Sequence, residues 1–165
     1  MEYLPGGLTL QIPPEAFPLS TDSLVLAHFA RLPKNAKVLD LGSGCGTLGL
    51  LLCANSPGCC VTGVEIDPGA HGAALENIAR NGLEARMESI CADLRSFVPD
   101  HGAYSVCVSN PPYFSGGFAS TTHPVARQDD RCPPEILFAA AGRALKFGGD
   151  FFLVHKPEKL AQLIT

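Results

Sequence analysis

An α/β fold, a doubly wound parallel sheet with helices on both faces, is what this 165-residue sequence predicts. Three observations lead there. Apolar stretches of strand length alternate with stretches of helical length along the chain, without an internal repeat. The segments K-V-L-D-L at 37–41 and C-V-T-G-V-E-I at 60–66 are apolar on both faces, as strands covered by helices on either side must be. The unusual groupings of glycine, proline and acid each follow a strand segment, the edge at which sheets of parallel strands with right-handed crossovers take their ligands.

The elements follow in order. Ser20-Thr21-Asp22 offers N-cap oxygens to a helix over 20–32, whose apolar positions include Leu24, Val25, Ala27 and Phe29, with His28 at the core or its boundary. A strand at 37–41 runs into a glycine turn at 42–46 and a buried helix at 47–54. Asn55-Ser56-Pro57-Gly58 breaks the chain before the strand at 60–66. Asp67-Pro68 opens a helix with a stripe of Ala70, Ala73, Ala74, Ile78 and Ala79, ending at Asn81-Gly82. Strands are expected at 85–92 and 104–109. The 23 residues from 110 to 132 show no period, which in a compact domain marks a functional loop. A helix at 133–146, a strand at 150–155 and the start of a last helix from 157 complete the pattern.

Composition bounds the class. With 46% hydrophobic and 17% charged residues the chain is too apolar for disorder, and its length fits one domain over 1–165 with a helical lead-in over 1–36. The longest apolar run, 48–54, is far short of the roughly 20 residues a membrane span needs, and the first residues lack the pattern of a signal peptide. A cytoplasmic protein without a membrane partner is expected. Seven cysteines contain no C-x-x-C pair, so they read as reduced, mostly buried thiols, Cys59-Cys60 included, and no metal site is expected. Residues 1–122 hold 6 Lys/Arg against 11 Asp/Glu and residues 123–165 hold 6 against 5, so neither part is a basic patch with a strong nonspecific hold on nucleic-acid phosphate.

The run Asp40-Leu41-Gly42-Ser43-Gly44-Cys45-Gly46 lies between a strand and a helix. Gly42, Gly44 and Gly46 let a ligand approach the backbone, and the helix start supplies free amide donors. Residues 44–49 spell G-x-G-x-x-G, and Glu65, 21 residues after Gly44, is placed to accept from ribose hydroxyls. A nucleoside-containing ligand is indicated, either a dinucleotide or S-adenosylmethionine. Asp40 favours S-adenosylmethionine: a carboxylate is a poor neighbour for a pyrophosphate and a good one for an ammonium and a sulfonium. Asp93, at the end of the strand 85–92, can accept from an adenine amine or cap a turn. Asp67 reads as a helix cap.

Asn110-Pro111-Pro112-Tyr113 is the most informative tetrad. Two prolines fix the backbone and remove two donors, leaving carbonyls and the Asn110 side chain as an array of acceptors. Such an array suits an incoming planar NH2 group, whose delocalised lone pair makes it a poor nucleophile. Bonds from that group to the Asn110 oxygen and the Pro111 carbonyl free the lone pair, and Tyr113 can stack on the plane. N-methylation sheds its proton easily once the bond has formed, so His155 is read as structural rather than as a general base.

Together D-L-G-S-G-C-G, G-V-E-I-D, C-A-D-L and N-P-P-Y resemble the class I S-adenosylmethionine-dependent methyltransferases of the N-P-P-Y group, which act on planar amino nitrogens. The segments T-D-S-L-V-L-A at 21–27, Ala126-Arg127 and L-V-H-K-P-E-K-L at 153–160 are similar to the bacterial valine-tRNA adenine-N6 methyltransferase family. The resemblance implies a Rossmann-like sheet and the cofactor S-adenosylmethionine. It assigns Asp40, Gly42, Gly44 and Gly46 to the methionine moiety, with Thr21 or Asp22 closing over it, Glu65 to the ribose and Asp93 to the adenine. It assigns Asn110, Pro111, Pro112 and Tyr113 to the target amine, and Phe114, Arg127 and Arg131 to the substrate side. RNA, tRNA in particular, is the implied substrate. Members of the family continue beyond the fifth large strand, so the resemblance also implies a chain truncated there, with that strand left as an exposed apolar edge. Three alternatives stand beside it: a protein glutamine amide as acceptor, a noncatalytic S-adenosylmethionine-binding module, and a nicotinamide-dependent oxidoreductase. Glutamine methylases of release factors usually carry an extra helical domain, whereas 36 residues precede the strand at 37 here.

Overall fold

A computed structural model describes residues 1–14, 16–111, 133–155 and 157. Its elements are β1 (Glu2–Tyr3), a 3-10 turn (Pro5–Gly7), β2 (Thr9–Leu10), α1 (Thr21–Phe29), β3 (Lys37–Leu41), α2 (Thr47–Asn55), β4 (Cys60–Glu65), α3 (Pro68–Arg80), β5 (Met87–Cys91), β6 (Tyr104–Ser109), α4 (Pro134–Ala144) and β7 (Leu145–Leu153). β1 and β2 form a small antiparallel pair, and the other five strands form one sheet in the order β5-β4-β3-β6-β7. All four pairings in that sheet are parallel, so the carboxyl ends of its strands share one edge.

The order is the doubly wound one. From the central β3 the chain steps outward through β4 to β5, then returns to place β6 on the other side of β3, so the direction reverses between β3 and β6. The alternation of side chains along each strand divides the core in two. Val38, Val106 and Val108 pack with Leu26, Leu50, Leu51, Leu52 and Ile78 from α1, α2 and α3 on one face. Leu39, Leu41 and Cys107 pack with Leu137, Ala140, Ala141 and Ala144 of α4 on the other. α2 lies close on the sheet because Gly49 lacks a side chain: a Cβ there would meet the Met87 methyl at 2.4 Å and Val61 Cγ1 at 3.3 Å. No helix among the described residues is long and apolar enough to cross a membrane.

The structure corrects several expectations. α1 ends at Phe29, three residues before the expected end, and buries Ser23, Leu26 and Ala27 while Leu24, Val25, His28 and Phe29 are exposed. Ser23, Leu26 and Ala27 face the core, and Leu24, Val25 and Phe29 do not. β7 begins at Leu145, directly after α4, where the sequence suggests helix to 146 and strand only from 150. The register shifts between the Tyr104–Leu145 and Val106–Asp150 pairs, and Gly148 at φ 74 absorbs the irregularity, so residues that read as a helix end and a glycine turn are a bulged strand. Among the described residues β7 lies at one edge of the sheet, with Phe151, Phe152 and Leu153 partly buried. Of the cysteines among the described residues, Cys45, Cys53, Cys59 and Cys107 are buried but Cys60 and Cys91 are exposed; Cys132 lies outside them. Cys59 lies beside Arg86, whose guanidinium donates to the carbonyls of Cys53, Ser56 and Cys59 and so ties the end of α2 to the approach to β4.

The β1–β2 lead-in is a feature the sequence does not announce. It is fastened by Asn77 of α3 and Asn81, the residue that caps α3, which together imitate a neighbouring strand. Asn81 accepts from the Thr9 N–H at 2.8 Å and donates to its carbonyl at 2.7 Å; Asn77 does the same for Gln11, both at 2.9 Å.

Candidate active site

The parallel sheet brings Asp40, Glu65, Cys91 and Ser109, distant in sequence, to one edge at or near the ends of their strands. Between β3 and α2 the chain turns over that edge on three glycines of positive φ, Gly42 at 76°, Gly44 at 55° and Gly46 at 84°, a region L-residues with a Cβ rarely occupy. The Gly42 and Ser43 amides both donate to the Val64 carbonyl, at 2.9 and 3.1 Å, so the turn leans over β4. Nothing lies within 4 Å of where a Cβ would stand on Gly42 or Gly44, so these two backbone positions front open space. α2 then starts from Gly46, which offers no capping side chain to its first amides.

Two carboxylates frame this turn in different states. Glu65 is held from both sides: its Oε2 accepts from the Gly44 N–H and its Oε1 from the Asp67 N–H, each at 2.8 Å. Each oxygen keeps a lone pair, so the group is oriented yet able to accept two more donors, as a vicinal diol requires. Asp40 is buried, and its Oδ2 has no hydrogen-bond partner among the described residues. Burial, and secondarily the charge of Glu65, push its pKa up to about 7. An unsatisfied buried carboxyl is costly, and a cationic ligand at the glycine turn would supply the missing partner. These features fit the ammonium and ribose of the expected nucleoside ligand.

The other wall is the end of β6. Asp40 pairs in register with Val108, so Asn110 lies two residues beyond its partner on the adjacent strand. Ser109 is buried and its hydroxyl donates to the Leu41 carbonyl at 2.7 Å, locking the end of β6 to the end of β3. Asn110 is half-buried, and its Nδ2 donates to Ser23 Oγ at 2.9 Å and to Ser20 Oγ at 3.4 Å on the first turn of α1. Thr21 and Asp22 belong to the same turn and are exposed. Ser20 also caps α1 by accepting the Ser23 N–H. Pro111 is described and half-buried; Pro112, Tyr113, Phe114, Arg127 and Arg131 lie outside the described residues.

Asp93 follows β5 in the role of a turn residue. Its carboxylate receives the Arg95 backbone N–H at 2.9 Å and a forked contact from the Arg95 guanidinium, which hold its pKa below the ordinary value. Asp67 is the N-cap of α3, accepting from the Ala70 N–H at 2.8 Å, as the Asp-Pro signal suggests. His155 is half-buried just beyond β7. No grouping of three His, Cys, Asp or Glu among the described residues could hold a metal ion.

Ser20, Ser23, Ser109 and Gly63 are site residues that sequence reasoning missed. Gly63 lies within β4 beneath the turn: a Cβ there would stand 2.6 Å from Ser43 Oγ and 2.8 Å from Ser43 Cβ. A glycine inside an apolar strand was the available signal.

Comparison with known proteins identifies the family. The family described as "Methyltransferase small domain" matches residues 20–163. A tRNA1(Val) (adenine(37)-N6)-methyltransferase of Bacteroides fragilis is 32% identical over 143 residues, covering 84% of this chain and 60% of the relative. One from Aeromonas hydrophila is 33% identical over 142 residues, covering 84% and 59%. The chain thus spans about three-fifths of the length of these relatives. Among solved structures, precorrin-6y C5,15-methyltransferase from Geobacter metallireducens superimposes with a TM-score of 0.69 at 14% identity, over 97% of this chain and 75% of that one. A SAM-dependent methyltransferase from Thiobacillus denitrificans, in complex with S-adenosyl-L-homocysteine, gives 0.61 at 20% identity, over 84% and 49%. The chain belongs to the methyltransferase small domain family.

Proposed function

We propose that this member of the methyltransferase small domain family transfers a methyl group from S-adenosylmethionine to the exocyclic N6 of an adenine in tRNA, acting in the cytoplasm. The observation that carries the reading is the placement, at the ends of adjacent strands at the sheet's switch point, of a buried carboxyl with one oxygen unpartnered among the described residues and an asparagine whose amide nitrogen is tied back into α1. The names of the relatives support adenine as the acceptor and tRNA as its carrier.

The residues divide the work as follows. S-adenosylmethionine, when bound, supplies an electrophilic methyl carbon on a sulfonium. Asp40 takes the positive end of the methionine moiety, the backbone of Gly42, Gly44 and Gly46 accommodates its close approach, and Thr21 and Asp22 flank that end. Glu65 accepts from the ribose hydroxyls. Asp93 accepts from the adenine amine of the cofactor, sharing its carboxylate with Arg95.

On the acceptor side the target base leaves its stack to enter the site. Asn110 Oδ1 and the Pro111 carbonyl accept the two N–H bonds of the incoming amine, Pro112 fixes the turn and Tyr113 stacks on the ring. These bonds pull the nitrogen toward a pyramidal geometry and free its lone pair, which would take the methyl carbon that bound S-adenosylmethionine supplies, with the sulfur leaving as the neutral thioether. The surplus proton on the methylated nitrogen passes to water. Catalysis of this kind rests on orientation and on acceptors aimed at developing positive charge.

The test is incubation of the purified chain with labelled S-adenosylmethionine and, in separate reactions, RNA from cells lacking the modification and an RNA-free protein extract. Label in RNA as N6-methyladenosine is the expected result. Label in protein alone moves the acceptor to a glutamine amide, and binding of a dinucleotide in place of S-adenosylmethionine overturns the cofactor.

A further inference from the structure

We infer that Ser23 is a positioning residue: its hydroxyl fixes which way the Asn110 amide faces, turning Oδ1 and not Nδ2 toward the acceptor amine. The inference rests on the reading of Asn110 given above and goes beyond it. An asparagine side chain can present either end with almost no change of shape. The two ends are not equivalent in this site. The carbonyl oxygen accepts from an incoming NH2, whereas the amide nitrogen meets it donor to donor. A half-buried asparagine at a strand end needs something to choose between them.

The choice is made by the first turn of α1. Asn110 Nδ2 stands 2.9 Å from Ser23 Oγ and 3.4 Å from Ser20 Oγ, a contact across 87 and 90 residues of sequence. Ser20 is already committed as an acceptor, since it receives the Ser23 N–H at 3.2 Å as the helix cap. The two hydroxyls also lie 3.2 Å apart. When the Ser23 proton goes to Ser20, Ser23 offers Asn110 only lone pairs, and only the NH2 end of the amide satisfies them. Ser23 is buried within α1, and its side chain makes none of the backbone cap bonds, so its hydroxyl is explained by Asn110 and Ser20 alone among the described contacts.

Ser23→Ala is the informative variant, because the cap bond from its backbone N–H to Ser20 remains. It is compared with wild type and Ser23→Thr, which keeps a hydroxyl, in single-turnover transfer and in calorimetric binding of S-adenosylmethionine. The expected outcome is a fall in transfer rate of about 10- to 100-fold for Ser23→Ala, cofactor affinity within about twofold of wild type, and partial recovery in Ser23→Thr. Equal rates for wild type and Ser23→Ala overturn the positioning role while leaving the adenine reading intact. A parallel loss of cofactor affinity and rate overturns it too, because the variant then damages the site as a whole. A readout independent of turnover separates the two readings. In asparagine-labelled protein the Asn110 NH2 resonance, identified by its loss in Asn110→Ala, is expected to show contacts to the Ser23 β-protons in wild type and faster solvent exchange in Ser23→Ala. If wild type methylates no adenine the acceptor reading fails, and the resonance still judges the orientation: no contact to Ser23, or exchange unchanged in Ser23→Ala, overturns it.

Discussion

At the scale of single residues, Asp40 is a site carboxyl whose state the fold alters strongly. Its carboxyl titrates at about 7 in the folded chain against an ordinary 3.8, with burial the larger cause. A folded pKa raised above the unfolded one gives stability that is full below about pH 4 and is lost as the pH rises toward and through 7, amounting to roughly 4 kcal/mol. A cationic ligand reverses the preference, since it needs the ionised form. Calorimetry should therefore show S-adenosylmethionine binding strengthening about tenfold per pH unit up to about pH 7 and then levelling, with the rise abolished in Asp40→Asn. Affinity that ignores pH in wild type would deny Asp40 contact with the cation. Asp40 was legible in the sequence because its meaning is local: an acid set against a glycine turn. Its orphaned state was not, since that depends on what the sheet and Glu65 place around it.

At the scale of elements, the glycine turn and β4 are a matched pair. Gly63→Ala drives a Cβ into Ser43, and the turn must lift off β4. Overpacking of this kind costs about 1 to 3 kcal/mol, and thermal melting together with cofactor titration should show both stability and affinity falling. Adding Ser43→Gly removes the obstruction and should restore much of both; a double variant as weak as the single one would show that Gly63 matters for another reason. Strands β3, β4 and β6 were readable because both faces are apolar, a pattern that survives without knowledge of the neighbours. α1 and β7 were not. In α1 apolar residues lie on both sides, Leu26 and Ala27 buried but Leu24, Val25 and Phe29 exposed, so hydrophobicity alone did not single out the buried face. In β7, pairing with β6 overrides the turn signal of Gly148-Gly149, and a bulge takes up the mismatch. Ser23 and Ser109 escaped notice for a related reason, since serine carries no signal until the fold brings it to Asn110 or to Leu41.

At the scale of the whole molecule, Asn77 joins three parts that are far apart in sequence. It is fully buried, holds both backbone groups of Gln11, and donates to the Cys45 carbonyl of the glycine turn at 3.0 Å. Replacing it with Ala leaves those groups without partners, at a cost of about 1 to 3 kcal/mol for each buried group stranded. Melting of Asn77→Ala should fall by at least several degrees, roughly 2 to 4 °C per kcal/mol for a chain of this size, with cofactor affinity falling alongside. A melting temperature equal to wild type would show the lead-in to be a loose appendage. The same connectivity places the acid, the glycines and the asparagine side by side: one parallel sheet with one switch point delivers them to a single edge.

The claim at the centre of this account is that Asn110 serves the acceptor and not the cofactor. The measurement that tests it most directly compares wild type and Asn110→Ala in single-turnover transfer from labelled S-adenosylmethionine to unmodified tRNA, with cofactor binding measured on the same preparations. The account predicts loss of N6-methyladenosine by about 100-fold or more with cofactor affinity preserved. Transfer that survives the substitution, or affinity and transfer lost together, would contradict it.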